Sequence, residues 1–573
     1  MIDRTRPVDL PPPTATGEDE WALLAADANR RLSSLLRSQV NDGGLDDGGF
    51  RESPRRLPDG REAAYRAAEL IALRIFSDRL GLQAAKGTIE DAIRRALRFV
   101  ASRQRHDGQL DLAGSYSPNE AGFVIPGLVM GRRALQAADP RLFEELSARI
   151  ETIVRGAADA VVAGDAFTAN HRWAAACAPL AIAHNAFPDP RYPAKIESYL
   201  ADGVDCDDDG FWYEERSPNY NDVSNDSMLI LADELGREEF LDHAIRNLYL
   251  MLEMTQPDGS ADTSTSFRQD RHGTGRSPAR YRAARRAAIH TGDGRFTTFA
   301  RRLISNDGLG RLTHLLYDLD AHPGPLPAAE PMPSRLHRHF PTRQIVRHRH
   351  DAWAVTLAAD AGGHYFDTVA PPGPSTTGRS TDWLCIHAGK VKVPTIRLAI
   401  AGAGVFAPST LRRLGSRRYR LTDNRSGFIL RQHFRPGRPS IGRDLPMCVM
   451  AELTTDNDHA TLDLDIKATS SVFASLAIYV DVHSSVNGDV IGVGEAIERP
   501  GDGSVSLCSS HDRMVIEGLP PSLHDQALAA RPHIPDQLDT NAGQLLVGLR
   551  LPTRLSLIFR HESANRKSQV LSL

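Results

Sequence analysis

The chain has 573 residues, 41% of them hydrophobic and 24% charged, with 68 Lys and Arg against 72 Asp and Glu for a formal net charge of −4. That length exceeds one ordinary core and predicts two large domains of soluble globular composition. Near-balanced charge excludes the basic footprint of a nucleic-acid binder, so any grip on an anion must come from a local cluster of Arg and His.

The five cysteines, Cys177, Cys206, Cys385, Cys448 and Cys508, are scattered, odd in number and without a CxxC pair. That argues against a disulfide framework and against a zinc knuckle. No run of about 18 apolar residues occurs, so no membrane partner is expected. The opening MIDRTRPVDLPPPTATGEDEW has no apolar leader core, which predicts a cytoplasmic protein. A secreted or periplasmic chain trimmed of its leader would read the same way. No motif calls for a cofactor or a metal, and a homo-oligomer remains open.

After a tail over 1–17, residues 18–321 carry apolar positions at three- and four-residue spacing, broken by Gly, Pro and Asp. Helices are predicted to start near Trp21, Ala63, Ile89, Ala121, Leu142, Trp173, Ala194, Val223, Phe240, Tyr281, Phe296 and Leu312. The acidic DCDDDG at 205–210 lacks EF-hand spacing and reads as a turn between helices rather than a calcium loop. A Pro-rich linker, HPGPLPAAEPMPSR, covers 322–335. From 336 to 573 the period shortens. Runs such as DAWAVTLAAD, VKVPTIRLAI, FILRQHF, CVMAEL, ATLDLDI, VFASLAIYV, QLLVGLR and LSLIFRH predict ten or more strands of an antiparallel sandwich. The fold class is therefore α+β and multidomain. Paired helices fit either a superhelical solenoid or a closed (α/α) toroid, and periodicity alone does not choose.

Four polar stretches interrupt the helical half. RHDGQLDLAGSYSPNEAGF at 105–123 offers Asn119 and Glu120. TANHRWAAACAPLAIAHNAF at 168–187 places Asn170, His171, Arg172 and Trp173 where a helix begins, so side-chain donors and free amides could meet a carboxylate. DGFWYEERSPNYNDVSNDSMLILADELG at 209–236 crowds Trp212, Arg216 and Tyr220 into a connection, a composition suited to a sugar face. PDGSADTSTSFRQDRHGTGRSPARYRAARR at 257–286 holds Arg268, Gln269, Arg271 and His272, and its arginines could bind a uronate or sulfate bidentately. Each also has a bland reading: Asn170 as a helix cap, Trp212 and Tyr220 as cover for the next helix, the last stretch as a solvated basic loop. Their recurrence at helix-pair junctions would line one face or bore.

The Asn170–His171 pair, followed by Tyr220 inside a DG…ER-S-x-x-Y-N stretch, resembles the heparinase II/III-like and oligoalginate lyase group of polysaccharide lyases. The resemblance implies an N-terminal (α/α) toroid of about twelve helices followed by an antiparallel β-sandwich, and an acidic polysaccharide or oligosaccharide as substrate. It implies that Asn170 and His171 bind a uronate carboxylate and that Tyr220 serves as base, acid or both. An unperturbed Tyr, with a pKa of about 10, needs nearby positive charge for that task, and Arg172, Arg216, Arg268, Arg271 and His272 are the candidates. Trp173 or Trp212 could stack on a neighbouring sugar.

Many relatives carry an HGHxD-like stretch in the β-domain. The nearest counterparts here are His348, His350 and Asp351, the pair His364 and Tyr365, and Cys385 with His387, none with zinc spacing. Two competing readings remain. A toroid-type glycoside hydrolase would use a carboxylate pair drawn from Glu120, Glu214, Glu215, Asp226, Asp262 and Asp270. A non-catalytic glycan-binding protein would use the same loops without turnover.

Overall fold

The computed structural model describes residues 17–51, 57–112, 114–165, 172–212, 217–266, 279–307, 312–359, 382–400, 404–423, 428–431, 442–445, 447–469, 471–481, 485–486, 489–490, 496–498, 503–509, 512–520 and 542–563. It divides into two units, Met1–Leu252 with Arg276–Met332, and Glu253–Gly275 with Pro333–Leu573.

The first unit contains twelve α-helices among the described residues: α1 Gly17–Ser38, α2 Gly60–Ile75, α3 Lys86–Arg103, α4 Pro118–Ala138, α5 Pro140–Ala163, α6 Ala178–Ala186, α7 Arg191–Leu200, α8 Pro218–Leu235, α9 Glu239–Glu253, α10 Ala279–Thr291, α11 Gly294–Asp307 and α12 Leu312–Ala321. Each expected helix start falls inside one of them or, for Trp173, inside the π-helical turn Arg172–Cys177 that leads into α6. The starts are fixed by side chains that accept the orphan amides of the first turn. Asp59 caps α2 through Glu62 N (2.8 Å), Ser117 caps α4 through Glu120 N (3.3 Å), and Ser217 caps α8 through Tyr220 N (3.3 Å). Proline occupies the first turn of α4, α5 and α8, where its missing N–H costs nothing.

The even-numbered helices touch in order, α2 to α4, α4 to α6, α6 to α8, α8 to α10 and α10 to α12. Then α12 touches α2, so the contacts form a closed cycle. Odd-numbered helices pack behind them, α3 on α2, α5 on α4, α7 on α6 and α11 on α10. One hydrophobic core joins both sets, with Leu70, Ile93, Ile125, Leu180, Leu229 and Leu316 fully buried.

The second unit is built from strands. β1 Arg335–Phe340, β2 Ile345–His350, β3 Trp353–Ala358, β4 Leu384–Ala388 and β5 Val391–Val393 form an antiparallel meander. A second five-stranded sheet centres on Val472–Asp481 between Ile396–Ile400 and Ala542–Leu551. A nine-stranded sheet runs from Thr410–Arg413 through Met447–Thr455, His459–Ala468 and Thr553–Ser563 to short edge strands. One hydrophobic cluster gathers residues of all three sheets, Ile386, Leu476 and Leu462 among them. The expectation of purely antiparallel pairing needs one correction, because Ala496–Glu498 runs parallel to Ala542–Leu551 at an edge.

Contiguous patterning assigns 253–275 to the helical half, yet the structure groups it with the strands. The reason is charge. Arg347 of β2 is fully buried, and burial pushes its pKa down against the pull of Asp262. It donates to the Thr255 carbonyl (3.0 Å), Gln256 Oε1 (3.0 Å) and Thr356 Oγ1 (2.8 Å), and Thr356 donates in turn to Asp262. Lys392 reaches Asp258 at 2.7 Å. A segment that supplies these acceptors packs where the cations are.

Candidate active site

A cavity of about 260 Å³ opens inside the cycle of helices. Its walls come from α2, α4, α8, α10 and α12, with Ala174 of the π turn and Ala178 of α6 completing the circuit. The connections entering α4, α6, α8 and α10 are the four polar stretches singled out by sequence.

Tyr220 sits on the first turn of α8, half-buried, three and seven residues before the cavity-lining Val223 and Ser227, so helical spacing gives it the same face. The turn that carries it is held from two sides. Ser217 caps it, and the buried Arg280 at the head of α10 grips Asp222 (2.9 and 3.0 Å) and donates to the Pro218 carbonyl (3.4 Å).

Glu120 lies on the first turn of α4, beside the half-buried Asn119, and pairs with Arg61 of α2 at 2.6 Å. Arg172 opens the π turn, pairs with Asp205 at 3.0 Å and Asp202 at 3.6 Å, and lies over the Trp173 ring at 4.8 Å. Asp205 begins the acidic turn at 205–210, and Asp207 there accepts from Phe211 N at 2.8 Å, so these carboxylates serve the fold.

Two proposed sugar platforms are corrected. Trp173 is fully buried and its indole donates to Asp205 Oδ1 at 2.6 Å. Trp212 is 1% exposed and donates to Asn225 Oδ1 at 3.1 Å, which continues to Asn247. Both indoles find their polar partner inside the core, which leaves no face for a sugar. Asn170, His171, Arg216, Arg268, Gln269, Arg271, His272, His364 and Tyr365 lie outside the described residues, as do the acids Glu214, Glu215 and Asp270.

Sequence reasoning passed over the residues that fill the cavity wall: Arg61, Tyr65 and Arg66 of α2, Arg282 of α10 and His314 of α12. Asp226 of α8 joins the last two, accepting from Arg282 Nη1 (2.6 Å) and from His314 Nδ1 (2.8 Å). Burial opposes ionisation of Asp226, but Arg282 and His314 outweigh it and hold the carboxyl well below the usual range. Burial likewise works against the Arg282 cation, and Asp226 and Asp318 overcome it. A usable signal existed. Asp222, Asp226 and Asp233 form a stripe on α8, and α10 carries Arg280, Arg282, Arg285 and Arg286 with no acid of its own.

In the strand unit, His348 and His387 are buried. His348 bonds His337 (Nδ1 to Nδ1, 3.2 Å) and the Asp456 carbonyl (2.9 Å), and burial pushes its pKa down to about 4. Burial also pushes the His387 pKa down and the Cys385 thiol up. Among the described residues no three His, Cys, Asp or Glu are placed to hold a metal ion, and no helix is long and apolar enough to cross a membrane.

The fold is that of polysaccharide lyases with a helical part followed by a β part. No protein-family model and no curated protein matches the chain. Solved structures do match. Paenibacillus xanthan lyase aligns over 97% of this chain and 59% of its own, at 11% identity and a TM-score of 0.58. A mutant of the Streptomyces coelicolor chondroitin AC lyase aligns over 97% and 81%, at 13% and 0.51. A mutant of the heparan sulfate lyase HepC from Pedobacter heparinus aligns over 98% and 85%, at 11% and 0.50. At such identities the likeness is one of fold.

Proposed function

We propose that this protein is a polysaccharide lyase that cleaves a uronate-containing glycan by β-elimination, in an (α/α) toroid followed by a β-sandwich. The observation that carries the reading is a cavity lined by all six helices of the cycle, with Tyr220 on the first turn of α8 on the face that lines it. The shared fold supports it, since the matching structures are named as lyases of xanthan, chondroitin and heparan sulfate.

The hard step is removal of the weakly acidic C5 proton beside an ionised carboxylate. Asn170 and His171 neutralise that carboxylate, so the charge that moves onto its oxygens in the enolate-like intermediate is stabilised. Tyr220 takes the C5 proton and, in a syn elimination, delivers one to the O4 leaving group. The Ser217 cap and the Arg280–Asp222 pair fix the turn from which it acts. Of the described acids open to a hydrolase, Glu120 is ion-paired, Asp226 is held ionised and Asp262 pairs with the buried Arg347 of the strand unit, whereas hydrolysis needs one protonated acid.

On a panel of polyuronates, Tyr220→Phe is expected to lose about 10²–10⁴-fold in the rate of unsaturated uronate formation, read by its ultraviolet absorbance. Equal activity of the variant and the wild type would remove Tyr220 from the mechanism.

A further inference from the structure

A line of hydrogen bonds through two histidines joins two sheets of the strand unit. His337 of β1 and His348 of β2 are register partners and meet Nδ1 to Nδ1 at 3.2 Å. Beyond them, His337 Nε2 lies 2.7 Å from the Tyr419 hydroxyl, and His348 Nε2 lies 2.9 Å from the Asp456 carbonyl. Tyr419 belongs to Arg418–Thr422, and Asp456 to the turn between Met447–Thr455 and His459–Ala468, all of the nine-stranded sheet. The line therefore begins and ends on one sheet and passes through the other. His348 and Tyr419 are buried and His337 is half-buried.

The chemistry at the ends fixes the protons. A carbonyl only accepts, so His348 Nε2 carries hydrogen and the neutral ring is left with a bare Nδ1. That nitrogen accepts from His337 Nδ1, which leaves His337 Nε2 to accept from the Tyr419 hydroxyl. With both rings neutral, this one arrangement satisfies all three contacts. A proton added to His348 would sit on Nδ1 and meet the His337 N–H head-on. One added to His337 would sit on Nε2 and turn the hydroxyl proton of the buried Tyr419 away from its acceptor.

The surroundings also oppose charge on the pair. Arg413 and Arg417 of the hairpin over 410–422 face it, with His339 of β1 and His350 of β2 alongside. Of the carboxylates at this edge, Asp456 pairs with Arg417 (2.7 Å), Asp351 with Arg335 (2.8 Å) and Asp458 with His459 (3.0 Å). Among the described residues, neither ring of the pair bonds a carboxylate. Burial, followed by these cations and imidazoles, holds the His337 pKa down and brings that of His348 to about 4.

We propose that the His337–His348 pair is a pH-sensitive latch: neutral, it ties β1 and β2 to the 410–422 hairpin and the Asp456 turn, and acid releases it. On opening, each ring can take a proton that the closed latch refuses. The closed form is fully favoured above the unfolded histidine value of about 6.5 and loses ground as pH falls from there towards about 4. The latch lies within the strand unit and does not depend on the reaction proposed for the protein.

Hydrogen exchange of the full chain tests it, read by mass spectrometry on peptides across 335–350 and 410–422 and corrected for the intrinsic rate. Between about pH 6.5 and 5.5, the opening equilibrium there is expected to rise about fivefold for one proton gained and about thirtyfold for two. The central strand Val472–Asp481 is expected to keep its protection. His337→Gln combined with His348→Gln supplies a donor and an acceptor at each position without titration, and should flatten the response. His348→Gln alone should lower it to the one-proton value. If the double variant fails to fold, the wild-type profile and the single variant carry the test. Unchanged wild-type protection over that range would overturn the latch. So would a full wild-type response in the folded variants, or an equal loss of protection in Val472–Asp481.

Discussion

Helices α2, α4 and α6 meet through glycine and alanine, whereas α8, α10 and α12 meet through buried arginine and aspartate. On the first side, a Cβ on Gly122 would come within 1.9 Å of the Ala175 carbonyl oxygen, and one on Gly131 within 3.2 Å of Ile71. On the second, Arg280 holds Asp222, Arg282 holds Asp226 and Asp318, and Arg286 holds Asp233 and Asp318, with the three arginines, Asp222 and Asp318 buried. Small residues let backbones approach closely at any pH. Ion pairs repay their desolvation only while every partner is present, but they fix orientation. The charged seam is the one that bears Tyr220.

Breaking that seam should have the largest effect. Arg280→Ala strands Asp222, which is 1% exposed, and is expected to cost about 3–5 kcal/mol in denaturant unfolding. Arg280→Met combined with Asp222→Leu should recover most of it. A single-variant cost within the roughly 0–1 kcal/mol of an exposed pair would erase the contrast between the two seams. On the apolar side, Gly122→Ala should cost about 1–3 kcal/mol by overpacking against the π turn before α6. An unchanged unfolding midpoint would mean the close approach is absent.

Acid should separate the seams more gently. The Asp226 carboxyl titrates lower in the native state than unfolded, so its contribution is present above about pH 4 and is lost as pH falls towards its native value. Asp226→Asn should therefore flatten part of the acid limb of stability against pH, and Gly122→Ala should leave its slope unaltered. An identical acid limb in Asp226→Asn would contradict the assignment.

The twelve helices were legible because their apolar spacing reports burial directly. Strands β1 and β2 were not, because RLHRHF and IVRHRH alternate histidine and arginine, and Arg347 and His348 are buried by partners far away in sequence. The same blindness hid the cavity. Arg61 and Arg282 read as solvated helix faces until a cycle of helices turns them inward onto carboxylates of neighbouring helices, and Arg66 pairs within its own helix. Tryptophan misled in the opposite direction. Trp173 and Trp212 sit in polar loops by sequence, yet each indole satisfies its N–H inside the core. Of the proposed catalytic residues the structure describes only Tyr220, and it places that residue's helix, cap and brace.

The chemistry of the product tests the central claim most directly. Wild-type protein incubated with uronate glycans should release oligosaccharides whose new non-reducing end absorbs in the ultraviolet as a conjugated unsaturated uronate, one per bond broken. New reducing ends without that chromophore would show hydrolysis and contradict the account.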